Sequence, residues 1–119
     1  MASQHFTDVE LACRCGLQDC NALPIQPRAL AGLEAVRVAY GRPLVIRSAA
    51  RCQGWNTTVG GAPGSRHLHG DAFDVEAWTG SEKYHIVRSA LLAGAAGIGI
   101  GKSFVHFDWR PRTPSAWCY

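Results

Sequence analysis

The segment Ser65-Arg66-His67-Leu68-His69-Gly70-Asp71-Ala72-Phe73-Asp74-Val75-Glu76-Ala77 carries two patterns at once. From Asp71 to Ala77 the residues alternate, with Phe73, Val75 and Ala77 on one side and Ala72, Asp74 and Glu76 on the other. Successive side chains of a strand point to opposite faces, so this reads as a strand with one apolar face. Ahead of it, His67 stands seven residues before Asp74, with Gly70 between them. Phe104 to Trp109 repeats the alternation: Val105, Phe107 and Trp109 oppose Phe104, His106 and Asp108. His106 and Asp108 therefore share one face of a second strand. Imidazole nitrogens and carboxylate oxygens suit zinc, and a catalytic zinc takes three protein groups plus a water. Set side by side, the two strands bring His67, Asp74 and His106 to one ion. Taken singly, each of these reads as an ordinary surface or core side chain. Glu76 reads as a solvated charge, and His69 competes with His67 as a ligand.

Outward from these strands the signals are those of a small mixed domain. Phe6 to Leu11 reads as a short helical turn, capped by Thr7 with Glu10 three residues on. Leu30, Leu33, Val36, Arg37 and Tyr40 recur at three- and four-residue spacing, which predicts a helix over Pro27 to Tyr40 ended by Gly41. Pro43 to Ser48 is rich in β-branched residues and reads as a buried strand. Arg51 to Ser65 reads as loop, with Gly60-Gly61-Ala62-Pro63-Gly64 forbidding regular structure. Ser81 to Ala93 places Tyr84, Val87, Ala90 and Leu91 on one helical face, and Ile98 and Ile100 mark a further short strand. The expected fold is α+β, a small antiparallel sheet with flanking helices.

A length of 119 residues allows one domain over residues 1–119, since two cores of half that size would each bury too little surface. With 47% hydrophobic and 18% charged residues the chain is not a disordered tail. No apolar run approaches the ~18–20 residues needed to span a bilayer, so no membrane partner is expected. The net charge of +3 suits weak attraction to an anionic polymer such as a cell wall. It falls far short of the dense basic stripe of a nucleic-acid binder. The amino terminus, Met-Ala-Ser-Gln-His-Phe-Thr-Asp, lacks the basic and apolar stretches of a secretory signal. The 5 cysteines leave at least one unpaired within a monomer. Cys13, Cys15 and Cys20 cluster while Cys52 and Cys118 stand apart, and no Cys-x-x-Cys pair of the zinc-ribbon kind is present. Three readings stay open: half of a metal site, disulfides from the cluster to Cys52 or Cys118, and plain buried thiols.

The stretch Ser65 to Asp74 fits Ser-x-His-x-x-Gly-x-Ala-x-Asp, the motif of the zinc D-Ala-D-Ala peptidases, at all of its specified positions. These cell-wall peptidases share their fold with the Hedgehog signalling domain. Gly60-Gly61-Ala62-Pro63 and Phe104-Val105-His106-Phe107-Asp108 resemble the flanking and closing motifs of that family. Ile46-Arg47-Ser48-Ala49-Ala50-Arg51 with Asn56 is similar to its Ile-x-Ser-Gly-Tyr-Arg-x(4)-Asn segment, and Phe6 to Cys15 is similar to the opening of small members. The resemblance implies His67, Asp74 and His106 as ligands of one zinc ion. It implies Ser65 as a supporting hydrogen-bonding group, Gly70 and Ala72 as positions kept small, and Arg51 as the arginine facing substrate and stabilising the oxyanion. Ala49 and Ala50 replace the glycine and tyrosine of many relatives. Ser103 stands three residues before the last ligand, where several relatives carry the catalytic carboxylate. Asp108 is the nearest carboxylate alternative as general base, or else a residue that orients a ligand or Arg51.

The expected function is a zinc metallopeptidase, monomeric, cutting amide bonds in the stem peptides or cross-links of peptidoglycan. A phage endolysin fits, made in the host cytoplasm without a signal peptide and acting on the wall after release. D-Ala-D-Ala carboxypeptidase activity is an alternative on the same fold, as is a zinc-holding binding module without catalysis. A disulfide-stapled secreted binder with an incidental histidine cluster is a further reading, and it requires no stoichiometric metal.

Overall fold

A computed structural model describes residues 2–119. Helices α1 (Asp8–Leu11), α2 (Pro27–Tyr40), α3 (Gln53–Thr58) and α4 (Gly80–Leu92) accompany strands β1 (Ile46–Ser48), β2 (Ala72–Glu76), β3 (Gly97–Ile100), β4 (Phe104–Asp108) and β5 (Ser115–Cys118). A 3₁₀ turn spans Arg66–His69. The sheet runs β1-β2-β4-β3-β5. All neighbours are antiparallel except β3 and β5, which are parallel. The fold is α+β, as the alternation of strand and helix signals implies.

The two faces of the sheet have separate duties. Phe73, Val75, Val105 and Phe107 project from one face into a buried cluster with Leu33 and Val36 of α2 and Ile86 and Ala90 of α4. Trp109 closes this core, its ring edge-on to both Phe73 and Phe107. The other face carries Asp74 and His106. Burying an aliphatic or aromatic side chain contributes ~1.5–3 kcal/mol, so the apolar face anchors the sheet while the polar face stays available for chemistry. Helix α1 starts with the reciprocal Thr7–Glu10 capping box, and α4 starts with a second one from Thr79 and Glu82.

The structure departs from the sequence expectations in five places. Helix α3 forms inside the segment read as loop; its N-cap is Cys52 and only Asn56 is buried, so no apolar stripe announced it. Strand β1 is shorter than Pro43 to Ser48, and Val45 is exposed. Pro43 has no N–H for a ladder, and β1 is an edge strand. On α4 the buried residues are Ile86, Ser89 and Ala90, whereas Tyr84 and Leu91 face solvent. Strand β5 extends the sheet beyond the elements expected. The disulfides entertained for the cysteine cluster do not form, and all five thiols are free. Among the described residues, no helix is long and apolar enough to cross a membrane.

Candidate metal centre

Two local devices position His67, the first of the candidate ligands. Ser65 precedes the 3₁₀ turn, and its Oγ accepts the His67 N–H at 3.3 Å. The turn ends at Gly70 with φ +74°, where an added Cβ would lie 2.2 Å from the Pro24 carbonyl oxygen. A left-handed, crowded position of this kind excludes a side chain. The chain then enters β2, whose register sets Asp74 directly opposite His106 of β4. Residues opposed across an antiparallel pair share a face, so strand pairing alone brings these two together.

The imidazole tautomers follow from their partners. His67 Nδ1 donates to the Ala49 carbonyl oxygen at 2.7 Å, which leaves the Nε2 lone pair free. That Nε2 is buried without a hydrogen-bond partner and lies 3.2 Å from Asp74 Oδ1. His106 Nε2 donates to Asp108 Oδ2 at 2.7 Å, and its Nδ1 lies 3.0 Å from the same Asp74 Oδ1. His67 Nε2, His106 Nδ1 and Asp74 Oδ1 thus face one another as three electron-pair donors. A buried acceptor left unmatched costs about 1–3 kcal/mol, and a cation among the three removes that cost. The residues fit a zinc ion: two imidazoles and one carboxylate, with each imidazole held from behind by an oxygen acceptor.

Two members of the trio shift in ionisation with their neighbours. Burial opposes ionisation of Asp74, but the adjoining imidazoles of His106 and His67 outweigh it and hold the carboxyl well below the usual range. Burial also disfavours a charged His106, and contact with Asp108 and Asp74 overrides it and raises its pKa.

Arg51 reaches the same place from the segment before α3. Its Nε donates to Ser48 Oγ at 3.0 Å, one terminal nitrogen to Asn56 Oδ1 at 3.2 Å and the other to Asp74 Oδ2 at 3.2 Å. Asn56 in turn donates to the Ala62 carbonyl at 3.0 Å, which ties the glycine-rich loop to the arginine. Asp108 lies elsewhere. It is fully buried behind His106, with Arg110 donating to both of its oxygens. Burial opposes its ionisation, but Arg110 and His106 hold its carboxyl well below the usual range. Gly97 faces it across the β3–β4 pair, where a Cβ would sit 2.2 Å from the carboxylate. Ser103, in the position where relatives carry an acid, accepts from Arg47 at 2.7 Å. His69 is not part of the ligand cluster, and Glu76 accepts from the Trp78 indole at 2.6 Å.

An open cleft of about 580 Å³ lies over the site, lined among others by Arg51, Arg66, His67, Asp74, His106 and Arg110. The aromatic residues near the end of the chain divide between two places. Trp109 closes the core, whereas Trp117 and Tyr119 line the cleft. The Trp117 ring lies 5.2 Å from the His106 ring and under the Arg110 guanidinium at 4.8 Å. Sequence reasoning missed Arg110 and the fully buried Asp71, which Arg66 grips with two nitrogens. The short Asp108-x-Arg110 spacing was the available signal for the first. The signal for the second was its register, since Asp71 falls on the same side of the alternation as Phe73, Val75 and Ala77.

A family model described as Peptidase M15 matches residues 4–108. No curated protein matches the chain.

Proposed function

The chain belongs to the peptidase M15 family of zinc-dependent metallopeptidases, and on that footing we propose that it hydrolyses amide bonds in the stem peptides or cross-links of peptidoglycan, as an endolysin-type endopeptidase. The observation that carries this reading is the convergence of His67 Nε2, Asp74 Oδ1 and His106 Nδ1 beneath an open cleft. A zinc ion held there supplies Lewis acidity toward a peptide carbonyl and a water of lowered pKa.

The chain's own residues do the rest. Arg51 is oriented by Ser48, Asn56 and Asp74, and in this reading it receives the negative charge that develops on the scissile carbonyl oxygen. Loss of such a donor costs ~10²–10³ in kcat. Asp108 contacts His106 and Arg110 rather than the cleft, so we assign it to orienting His106, and not to taking the proton of the attacking water. Arg51, Arg66 and Arg110 line the cleft together with a single acidic residue, Asp74. That balance suits a peptide that brings its own carboxylate, as wall stem peptides do. Action on the wall after release from a host cytoplasm belongs to the same proposal.

The test is digestion of purified sacculi, with mass spectrometry of the released fragments. New peptide termini are expected with zinc, lost with chelator, restored on zinc addition and absent for His67→Ala. Terminal D-alanine as the sole product would convert the reading to a carboxypeptidase. One observation favours a binding module instead: among the described residues the cleft offers no carboxylate besides Asp74. Zinc bound at the histidines without any hydrolysis of sacculi would establish that second reading.

A further inference from the structure

The peptidase reading uses none of the five cysteines, and four of them cluster. Cys13, Cys15 and Cys20 lie in the segment 12–26, which contains no helix or strand, and Cys52 is the N-cap of α3. Their four Sγ atoms all lie within 4.8 Å of one another. Cys13 Sγ and Cys52 Sγ are 3.7 Å apart. Two sulfurs on a tetrahedral zinc with bonds of ~2.3 Å stand ~3.8 Å apart, whereas a disulfide requires ~2.05 Å.

The surroundings of the sulfurs point the same way. The Cys52 N–H is directed at Cys13 Sγ at 3.3 Å, the Leu17 N–H at Cys15 Sγ at 3.4 Å and the Trp55 N–H at Cys52 Sγ at 3.4 Å. Backbone N–H groups aimed at sulfur are what orients a cysteine as a metal ligand, since groups around a site fix the direction of its ligand atoms. Gly16 makes the second of these bonds possible: its φ of +72° turns the chain back, so that Leu17 presents its N–H to Cys15. Cys52 is buried and the other three are half-buried. Four ligands with no open position describe a structural site, not a catalytic one. Soft thiolates select zinc over the hard cations.

We propose that Cys13, Cys15, Cys20 and Cys52 hold a second zinc ion, a closed tetrathiolate centre separate from the histidine site. Its place in the fold says what it does. A connection as long as 12–26 without secondary structure is uncommon in a compact domain unless something ties it down. Here the metal ties that connection to Cys52, whose neighbour is Arg51. The same segment also ends on the catalytic motif, because Gln26 donates from its backbone to the Gly70 carbonyl and from its side chain to the His69 carbonyl, both at 2.8 Å. The second ion therefore fixes the floor on which Arg51 and the 3₁₀ turn rest.

The inference is independent of the peptidase reading, and metal stoichiometry separates the two. Protein purified under reducing conditions without chelator is expected to hold about two zinc ions per chain. His67→Ala should retain about one, and Cys20→Ser should lose one relative to wild type. Cobalt-substituted His67→Ala should show the intense thiolate-to-cobalt charge-transfer absorption of a tetrathiolate centre. Absence of metal from reduced His67→Ala, a cobalt spectrum lacking thiolate bands, or a Cys13–Cys52 disulfide in protein alkylated at lysis would each overturn the proposal. Should Cys20→Ser fail to fold, the stoichiometry and cobalt spectrum of His67→Ala decide alone.

Discussion

Asp108 shows how one carboxylate's place determines its role. Its Oδ2 lies 2.7 Å from His106 Nε2, on the side of the ring away from Asp74. A group there can set the tautomer and orientation of a ligand, but it cannot reach a water in the cleft. Asp108→Asn keeps the shape and removes the charge. Metal affinity is expected to fall ~10–100-fold, measured by chelator competition, with the residual rate recovering at saturating zinc. A variant that bound zinc as tightly as wild type yet was inactive would make Asp108 a base. Residue-scale chemistry of this kind was half legible. The alternation in β4 put His106 and Asp108 on one face, but which nitrogen meets which oxygen depends on Ala49, Arg110 and Gly97, residues distant in sequence or outside the motif.

At the scale of elements, the 3₁₀ turn between the α3 loop and β2 is the most constrained piece. Gly70 combines a left-handed φ of +74° with a Pro24 carbonyl oxygen that would lie 2.2 Å from any Cβ. Gly70→Ala is expected to destabilise the protein by about 1–3 kcal/mol in chemical denaturation, from backbone strain with further cost from the collision. Unchanged stability would mean the turn relaxes without loss. The helices show where apolar periodicity misleads. Of Tyr84, Val87, Ala90 and Leu91, which have helical spacing, Ala90 is buried and Val87 packs partly buried against the core, but Tyr84 and Leu91 face solvent. Helix α4 buries Ile86 and Ser89 instead, beside Ala29, Gly32, Leu33 and Val36 of α2. Small residues permit close approach of two helices, and spacing by itself does not reveal which stripe has a partner.

Across the whole molecule, the amino-terminal segment is moored to α2 through Glu34, which accepts from Ser3 Oγ, from the His5 N–H at 2.8 Å and from His5 Nδ1 at 2.6 Å. Burial opposes its ionisation, but Ser3 and His5 prevail and hold its carboxyl below the ordinary 4.5. A carboxyl depressed on folding stabilises the native state above its unfolded pKa, and that contribution is lost as pH falls through the folded value. The melting-temperature gap between wild type and Glu34→Gln should therefore be present at neutral pH and close on acidification. A gap that persisted into acid would remove Glu34 from this role.

Alternation along Asp71–Ala77 and Phe104–Trp109, together with the helical spacing of Pro27–Tyr40, sufficed to announce an α+β fold and to put Asp74 and His106 on polar strand faces, because strand geometry assigns faces without reference to anything far away. The choice of His67 over His69 came from the resemblance of Ser65 to Asp74 to a family motif. The parallel seat of β5 on β3, the reach of Trp117 and Tyr119 over the cleft and the gathering of Cys52 with three cysteines of a distant loop were settled by packing. Such contacts depend on which edge, face or pocket remains open once the core has closed, and no local pattern of side chains encodes that.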